Sequence, residues 1–345
     1  MKKKTKAKKI TIICTAVAAL VAAVILVVSV IADRATDPVE GEPVSSPRQT
    51  ESGDRKTFLL LGKDRASGLT DVIMLVSIDT DSKSAAVLQI PRDTYARYTD
   101  KSYKKLNGAV SALGGADKLC RLISDAANIK IDGYVVFDLD VVVKLVDSVG
   151  GVEIELPFDM EYSDPYQGLN IKFKAGKQTL DGEAAEKFIR YRSGYVRGDL
   201  GRIDAQKMFM AAFIEKAYES MTPSTLLKLI TSVFGDIKTD MSLFEMTEIA
   251  LTVFDIELEN INMLTLPGED IRAGESGAWY YVISKSAAEK VFSKYFGAQA
   301  GEFDRGGIFV DPSSDDFVRI YDSDIEIYPL TVSDVIQNGI EIQKR

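Results

Sequence analysis

Apolar residues are distributed along this chain in two different ways. Residues 10–31, ITIICTAVAALVAAVILVVSVI, form one uncharged run, whereas after residue 55 shorter apolar segments alternate with polar turns. As a helix, the run would rise about 33 Å at roughly 1.5 Å per residue, which matches the hydrocarbon core of a bilayer. The pattern therefore predicts a membrane-spanning helix followed by a folded domain.

Six lysines lie between residues 2 and 9, immediately before the apolar run. The positive-inside rule places this cluster in the cytoplasm and everything after Ile31 outside the plasma membrane. A cleaved signal peptide is the alternative, but its apolar core is usually only about 7 to 15 residues long. We therefore predict a cytoplasmic tail, a retained single-pass anchor, a flexible linker, an extracellular domain and an acidic C-terminal extension, at residues 1–9, 10–31, 32–55, 56–300 and 301–345.

The apolar spacing beyond residue 55 changes between the period of a strand and that of a helix. Predicted strands occupy 56–64, 72–79, 84–93, 133–140, 152–157, 261–267 and 279–284, and residues 325–332 could add another. Predicted helices occupy 114–128, 141–151, 182–190 (with Asp181 as N-cap), 202–221, 223–234, 242–254 and 285–297. This alternation predicts an α/β domain with a central mixed β-sheet covered by helices.

The composition excludes several kinds of site. There is no histidine, so a His-based triad or a His-containing zinc site is impossible. The net charge is −9, and without the six N-terminal lysines 36 basic residues face 51 acidic ones, so a nucleic-acid partner is not expected. Of the two cysteines, Cys14 lies in the apolar run, which leaves Cys120 without an intramolecular disulfide partner.

Two carboxylates flank the short loop DRASGLTD. Asp64 follows the first predicted strand, and Asp71 precedes the second. Carboxylates at adjoining strand ends can hold a hard cation such as Mg²⁺ together with phosphate oxygens and water. The alternative is a pair of turn residues in solvent, because Asp is common in turns.

A charged pair, Arg92–Asp93, follows the third predicted strand in the segment IPRD. Charged residues at a strand end of an α/β sheet often belong to a site, although an ordinary surface ion pair is the alternative. The segment KKLNGAV adds Lys104, Lys105 and Asn107, a weaker signal because exposed lysine is common.

Four arginines and no lysine lie in the stretch FIRYRSGYVRGDLGRIDAQ, residues 188–206: Arg190, Arg192, Arg197 and Arg202. The planar fork of arginine matches the geometry of phosphate. Arg202 and Gln206 share one face of a predicted helix, whose N-terminus adds N–H groups suited to phosphate.

Internal pairing with Asp199 and Asp204 is the alternative interpretation of this stretch. Two carboxylates within the stretch cannot neutralise four guanidinium groups, so an anionic ligand is favoured.

The segments LLLGKD…TDVIMLVSID, LQIPRDTY, KLNGAV, GGVEIELP, KQTLDGEAAEKFIRYR and GDLGRIDAQKMF follow one another over roughly residues 56 to 220. In this order and spacing, behind a single N-terminal anchor, they resemble the LytR-CpsA-Psr family of membrane-anchored cell-wall proteins. The resemblance weakens towards residue 296.

The resemblance implies a phosphotransferase that moves an anionic glycopolymer, such as teichoic acid or capsule, from a polyprenyl-pyrophosphate carrier to a peptidoglycan hydroxyl. It also implies a central sheet covered by helices, with an apolar cleft for the lipid tail. We expect Phe209, Phe213 and Ile214 to contribute to the cleft wall.

Carried over residue by residue, the resemblance implies a metal site for Mg²⁺, or alternatively Mn²⁺, at Asp64 and Asp71. It implies pyrophosphate binding by Arg92, Lys105, Arg190, Arg192, Arg202 and Gln206, whereas Arg197 matches no family position. It implies a catalytic group made of Arg92, Asp71, Asp93 and Asp199, with Asp71 or Asp93 as a possible proton acceptor.

Three other functions stay open: a lipid-pyrophosphate scaffold without turnover, a regulatory membrane protein of the attenuator type, and a pyrophosphate hydrolase. The predicted cytoplasmic tail is too short for a DNA-binding fold, which argues against the regulator.

Overall fold

The structure is a computed structural model of the chain. It describes residues 55–63, 68–99, 102–165, 168–253, 256–272, 277–309, 325 and 327–344. The predicted anchor at 10–31 lies outside these residues, as does the predicted linker apart from its last residue. Across the described ranges, no helix has the length and apolar character that crossing a bilayer requires.

The strands of the described residues are β1 Arg55–Lys63, β2 Thr70–Asp79, β3 Ser84–Gln89, β4 Tyr95–Thr99, β5 Ser102–Lys105, β6 Gly133–Asp138, β7 Val152–Leu156, β8 Met160–Asp164, β9 Leu169–Phe173, β10 Gly176–Leu180, β11 Lys238–Thr239, β12 Ile261–Thr265, β13 Gly268–Arg272, β14 Trp279–Ile283 and β15 Leu330–Thr331.

The α-helices of these residues are α1 Ala109–Leu113, α2 Ala116–Ala127, α3 Leu139–Ser148, α4 Gly182–Arg190, α5 Asp199–Ser220, α6 Pro223–Val233, α7 Leu243–Val253, α8 Lys285–Phe296 and α9 Val332–Asn338. The predicted N-cap of α4 is confirmed, because the Asp181 carboxylate accepts a hydrogen bond from the backbone N–H of Ala184.

The central sheet has the strand order β11-β6-β1-β2-β3-β12-β15 within the described residues. β1 is antiparallel to β2 and parallel to β6, and β3 is antiparallel to β2 and parallel to β12. The sheet is therefore mixed, as the sequence predicts. Leu59, Leu75 and Leu88 lie side by side across its three middle strands.

Alternate residues of the middle strands face two separate apolar cores. Phe58 and Leu60 join the core that α3, α4, α5 and α6 cover. Leu59 and Leu61 join the core that α2 and α8 cover on the other face. Burial on both faces explains why these strands read as continuous apolar runs and not as alternating ones.

Two predicted boundaries are wrong, namely the end of β3 and the start of α5. β3 ends at Gln89 and not at residue 93, because Pro91 cannot donate a hydrogen bond and the chain turns there, with Thr94 N–H donating to Pro91 O at 3.0 Å. α5 begins at Asp199 and not at residue 202, because Gly198 adopts φ 56° and ends the preceding turn.

Residues 301–309 and 327–344 contribute to the same domain. Phe303 stacks on Phe292 of α8, with ring centroids 5.2 Å apart. β15 pairs with β12 at the edge of the central sheet. The further strand predicted at 325–332 is shorter than expected and covers only Leu330–Thr331, with α9 beginning directly after it.

Candidate active site

Asp71 and Arg92 come from neighbouring strands of the central sheet. Asp71 is the second residue of β2, and Arg92 follows β3. Because β2 and β3 are antiparallel, the start of one and the end of the other lie at the same edge. Arg92 Nη1 lies 2.6 Å from Asp71 Oδ1, and both side chains are mostly buried.

The segment between α4 and α5 brings a second guanidinium group to the same carboxylate. We call this segment, residues 191–198, the arginine loop. Arg192 Nη2 lies 2.6 Å from Asp71 Oδ2, so each oxygen of Asp71 accepts one guanidinium N–H. The side chain of Arg192 is 48% exposed, which leaves part of its guanidinium group open to a ligand.

Arg202, in the first turn of α5, is the most deeply buried member of this group, with 4% of its side chain exposed. Its Nη2 lies 2.8 Å from Asp199 Oδ1. Burial lowers the pKa of Arg202; Asp199 opposes this effect, whereas the like charges of Arg92 and Arg192 add to it. Its Nε is buried and has no hydrogen-bond partner among the described residues.

Asp199 also connects Arg202 to Arg92, whose Nε lies 3.7 Å from Asp199 Oδ1. Burial disfavours the charged form of Arg92, but the carboxylates of Asp199 and Asp71 outweigh burial and raise its pKa. Arg92 Nε is the second buried guanidinium nitrogen without a hydrogen-bond partner in the described structure. Unmade hydrogen bonds of buried charged groups are costly, which favours an incoming acceptor such as a phosphate oxygen.

These residues form what we call the guanidinium cluster: Arg92, Arg192 and Arg202 with Asp71 and Asp199. Three guanidinium groups and two carboxylates give the cluster a formal net charge of +1. Such a cluster in a mostly buried setting is suited to an oxyanion.

Lys105 and Asp93 form a second ion pair beside the cluster. Lys105 Nζ lies 3.0 Å from Asp93 Oδ2 and 5.7 Å from the ring centre of Tyr280. Asp93 Oδ1 is 3.9 Å from Arg92 Nε. The backbone N–H of Tyr281 donates to Asp93 O at 2.9 Å, which ties the β13–β14 hairpin to this side of the site.

An apolar cavity lies near the guanidinium cluster. It has about 820 Å³ of empty space, including the part open to solvent. Its lining is apolar apart from two glutamines: Leu60, Val72, Met74, Val76, Val87, Gln89, Phe137, Leu139, Val142, Leu145, Val146, Ile189, Gln206, Phe209, Met210 and Phe213. The expected contributions of Phe209 and Phe213 are confirmed. The expectation for Ile214 is wrong, because it points away from this face of α5 and is fully buried in the core.

The cavity is next to the cluster: no cluster side chain lines it, but three lining residues lie close to cluster residues along their elements. Val72 of the lining follows Asp71, and Gln206 lies one helical turn after Arg202 on the same face of α5. Gln89, at the end of β3, precedes the turn that carries Arg92. The site therefore places cationic groups next to an apolar cavity, an arrangement that suits an amphiphile with an anionic head.

Residues 24–296 of the chain match the model of the LytR_cpsA_psr family. The chain belongs to the LytR-CpsA-Psr family.

Two curated relatives in this family are named as transferases. The chain is 30% identical over 228 residues to the polyisoprenyl-teichoic acid–peptidoglycan teichoic acid transferase TagV of Bacillus subtilis strain 168, which covers 65% of this chain and 58% of TagV. It is 28% identical over 254 residues to the transferase of the same description, TagU, of Oceanobacillus iheyensis, covering 71% of this chain and 76% of TagU. The match thus spans less than two thirds of the length of TagV.

Two solved LytR-CpsA-Psr structures have the same fold as this chain. The crystal structure of B. subtilis TagV aligns with a TM-score of 0.60 and 27% identity, over 71% of this chain and 98% of that one. TagT bound to LIIa-WTA aligns with a TM-score of 0.57 and 25% identity, over 73% and 95%. The α/β fold with a helix-covered mixed sheet is therefore confirmed.

The structure of this LytR-CpsA-Psr protein places two arginines of the stretch 188–206 outside the guanidinium cluster: Arg190, which the resemblance assigns to pyrophosphate binding, and Arg197, which it does not. Arg190 ends α4, and its Nη1 lies 3.0 Å from Glu186 Oε1. Arg197 Nη1 lies 2.8 Å from Asp204 Oδ2. Internal pairing, the alternative interpretation of the stretch, thus describes both Arg197 with Asp204 and Arg202 with Asp199. It does not describe Arg192, whose carboxylate partner Asp71 comes from a distant part of the chain.

Gln89 belongs to the site although the sequence reasoning missed it. Its Nε2 donates to Gln206 Oε1 at 2.7 Å, and Gln206 Nε2 donates to the backbone oxygen of Ile189 at 3.3 Å. Gln89 is 4% exposed. A polar residue inside the otherwise apolar strand SAAVLQ was the signal available in the sequence.

The predicted metal site can be assessed at one of its two residues, since Asp64 lies outside the described residues. Each oxygen of Asp71 accepts one guanidinium N–H and keeps a second lone pair, so Asp71 fits the role of a hard oxygen ligand. No group of three or more Cys, Asp or Glu residues that could hold a metal occurs in the described part of the chain.

We predict that Asp199→Asn destabilises the protein, because it leaves the buried guanidinium group of Arg202 without its carboxylate. Breaking a buried ion pair from one side typically costs about 3–5 kcal/mol. Urea unfolding of the full-length chain would measure this change. The double variant Asp199→Asn/Arg202→Met is the control and is expected to recover much of the loss. An equal loss in both variants would contradict the assignment.

Proposed function

We propose that this protein is a phosphotransferase that attaches an anionic glycopolymer, such as teichoic acid or capsule, from a polyprenyl-pyrophosphate carrier to a peptidoglycan hydroxyl. The observation that carries the proposal is that the guanidinium cluster lies next to an apolar cavity, with Arg202 of the cluster one helical turn before Gln206 of the cavity lining. The cavity suits an isoprenoid chain, and the cluster suits two adjoining phosphates. The names of TagV and TagU support the same class of reaction.

The acceptor hydroxyl attacks the polymer-proximal phosphorus in line. The bond from this phosphorus to the bridging oxygen breaks, polyprenyl phosphate leaves, and the polymer remains joined to the acceptor as a phosphodiester. Arg92, Arg192 and Arg202 stabilise the charge that develops on the bridging and terminal oxygens. Asp71 and Asp199 hold these guanidinium groups in place before the donor binds, so little reorganisation is needed.

Asp93 is our candidate for the acceptor of the hydroxyl proton. Both oxygens of Asp71 accept guanidinium N–H groups at 2.6 Å. In Asp93, only Oδ2 has a close cationic partner, Lys105, and Oδ1 stays 3.9 Å from Arg92 Nε. Asp93 Oδ1 is therefore more available to a hydroxyl group. Asp93 lies on the side of the cluster where Lys105 and Tyr280 are found.

Mg²⁺ is part of the proposal, with Asp71 and Asp64 as its protein ligands and Mn²⁺ as the alternative ion. A divalent cation bound with the donor supplies further neutralisation of the two phosphates. The single-pass anchor predicted at 10–31 would complement this site, because it would hold the domain at the outer membrane face where a lipid-linked donor is found.

A hydrolase, a scaffold and a regulator use the same donor-binding features and differ in the step after the donor has bound. A hydrolase accepts water in place of the sugar hydroxyl, and a scaffold or regulator has no turnover. The transfer reaction is favoured because the relatives that share this fold are named as transferases.

We predict that Arg92→Ala lowers transfer about 100- to 1,000-fold, the usual loss when one preorganised charge stabiliser is removed. The full-length chain in detergent would be incubated with a lipid-pyrophosphate-linked saccharide, Mg²⁺ and a peptidoglycan oligomer, and the covalent adduct measured by mass spectrometry. Arg305→Ala is the matched control, since Arg305 is exposed and pairs with Glu302.

The products separate the competing functions in this assay. A covalent adduct supports the transferase. Phosphorylated saccharide released without an adduct indicates the hydrolase, and unchanged donor indicates the scaffold or the regulator; either result contradicts the proposed transfer.

We predict that EDTA stops transfer and that Mg²⁺ or Mn²⁺ restores it, because the two donor phosphates need more positive charge than the cluster supplies. Asp71→Asn should need a higher Mg²⁺ concentration for half-maximal recovery, which a titration of activity would measure. Full activity in EDTA would rule out a required cation.

We predict that Val142→Trp, which fills part of the apolar cavity, weakens binding of geranylgeranyl pyrophosphate but not of isopentenyl pyrophosphate. Displacing about two buried methylene groups costs about 1.6 kcal/mol, or roughly tenfold in Kd. Calorimetry with both ligands would test this. Equal weakening of both would place the isoprenoid chain outside the cavity.

A further inference from the structure

The last described residues of the chain pair with the arginine loop. The backbone N–H of Val196 donates to the oxygen of Gln343 at 3.1 Å. Tyr195 and Lys344 form an antiparallel β-bridge. These contacts join the loop that carries Arg192 to a segment that lies beyond the family match at 24–296.

The side chain of Lys344 adds a second set of contacts. Its Nζ lies 3.4 Å from the backbone oxygen of Asp159 and 5.7 Å from the ring centre of Phe158. Phe158 in turn packs edge-on against Tyr195, with ring centroids 5.8 Å apart. Lys344 therefore contacts the two residues before β8, one of which, Phe158, packs against Tyr195 of the arginine loop.

Tyr195 is the anchor of the loop itself. Its ring is 2% exposed and packs edge-on against Tyr191 at 5.4 Å. A methyl group on Gly201, in the first turn of α5, would come within 2.7 Å of Tyr195 Cβ, so the helix start and the loop are in close contact. The backbone position of Tyr195 thus affects both Arg192 before it and Arg202 after it.

The C-terminal segment is itself fixed to the domain. β15 pairs with β12, α9 packs against α5, and Ile340 and Ile342 pack against the core that contains Tyr195. Because this segment is fixed to the domain, its contacts with the arginine loop can restrict the motion of that loop.

We propose that residues 340–344 form a C-terminal brace that positions the arginine loop for the donor pyrophosphate. The brace acts through the backbone of Tyr195 and Val196 and through the side-chain contacts of Lys344 with Asp159 and Phe158. It contacts no charged member of the guanidinium cluster, so its residues are positioning residues and not catalytic ones. The effect on donor affinity rests on the proposed function. The effect on the loop does not.

The test compares the full-length chain with a version ending at Gly339 and with Lys344→Ala. We expect both changes to raise the Kd for geranylgeranyl pyrophosphate by about two- to tenfold, the range of a lost hydrogen bond. Hydrogen exchange should become faster at the amide of Val196 and across residues 191–198. Lys344→Arg should retain most of the wild-type affinity.

Two matched controls distinguish positioning from loss of stability. Gln343→Ala keeps the backbone carbonyl that accepts from Val196, so it should leave Kd and loop exchange unchanged. Val291→Ala removes volume from the other core, where Val291 is fully buried, and should lower the Tm without changing the Kd.

The outcomes separate the brace from the proposed function. Unchanged loop exchange after truncation at Gly339 would overturn the brace, whether or not the protein binds the lipid. Faster exchange with unchanged Kd would also overturn it, because the loop would then not need support. If the wild-type chain fails to bind the lipid, the proposed function is wrong, and faster loop exchange alone still supports the brace.

Discussion

The site depends on one carboxylate that holds two guanidinium groups. Asp71 accepts one N–H from Arg92 and one from Arg192 at 2.6 Å each. Without it, these cations and the buried Arg202 would repel one another in a region from which water is partly excluded. Asp71 can do this because β2 and β3 are antiparallel neighbours and the arginine loop passes over the same edge of the sheet. The central sheet therefore contributes to the site mainly by bringing the start of β2 and the end of β3 together.

The change from the charged cluster to the apolar cavity follows one face of α5. Gln206, Phe209, Met210 and Phe213 lie on one face at helical spacing and line the cavity, and Arg202 lies one turn before them on that face. A single helix face thus changes from charged to polar to apolar within about three turns. The hydrogen bond between Gln89 and Gln206 lies between the charged and the apolar parts of this face. An amide group suits this position because it is polar but uncharged.

Much of this site could be predicted from local sequence. Strand ends, helix ends and the spacing of Arg202 and Gln206 required only short-range rules. The charge balance of the arginine stretch could not be predicted in the same way. The sequence argument counted Asp199 and Asp204 only, whereas Asp71 and Glu186 also accept arginine N–H groups. Ion pairs between distant segments depend on which strand edges meet, and no local pattern specifies that.

The sequence by itself determined the five inner strands of the central sheet, most of the helices, the absence of histidine chemistry and the family. These properties follow from periodicity and composition, which act over short distances along the chain. Only the tertiary structure decided which arginines share a carboxylate, that Gln89 belongs to the site, that Ile214 packs away from the cavity, and that residues 340–344 contact the arginine loop. Each of these depends on long-range packing, where the register of strands and the rotation of α5 bring together residues that are far apart in the chain.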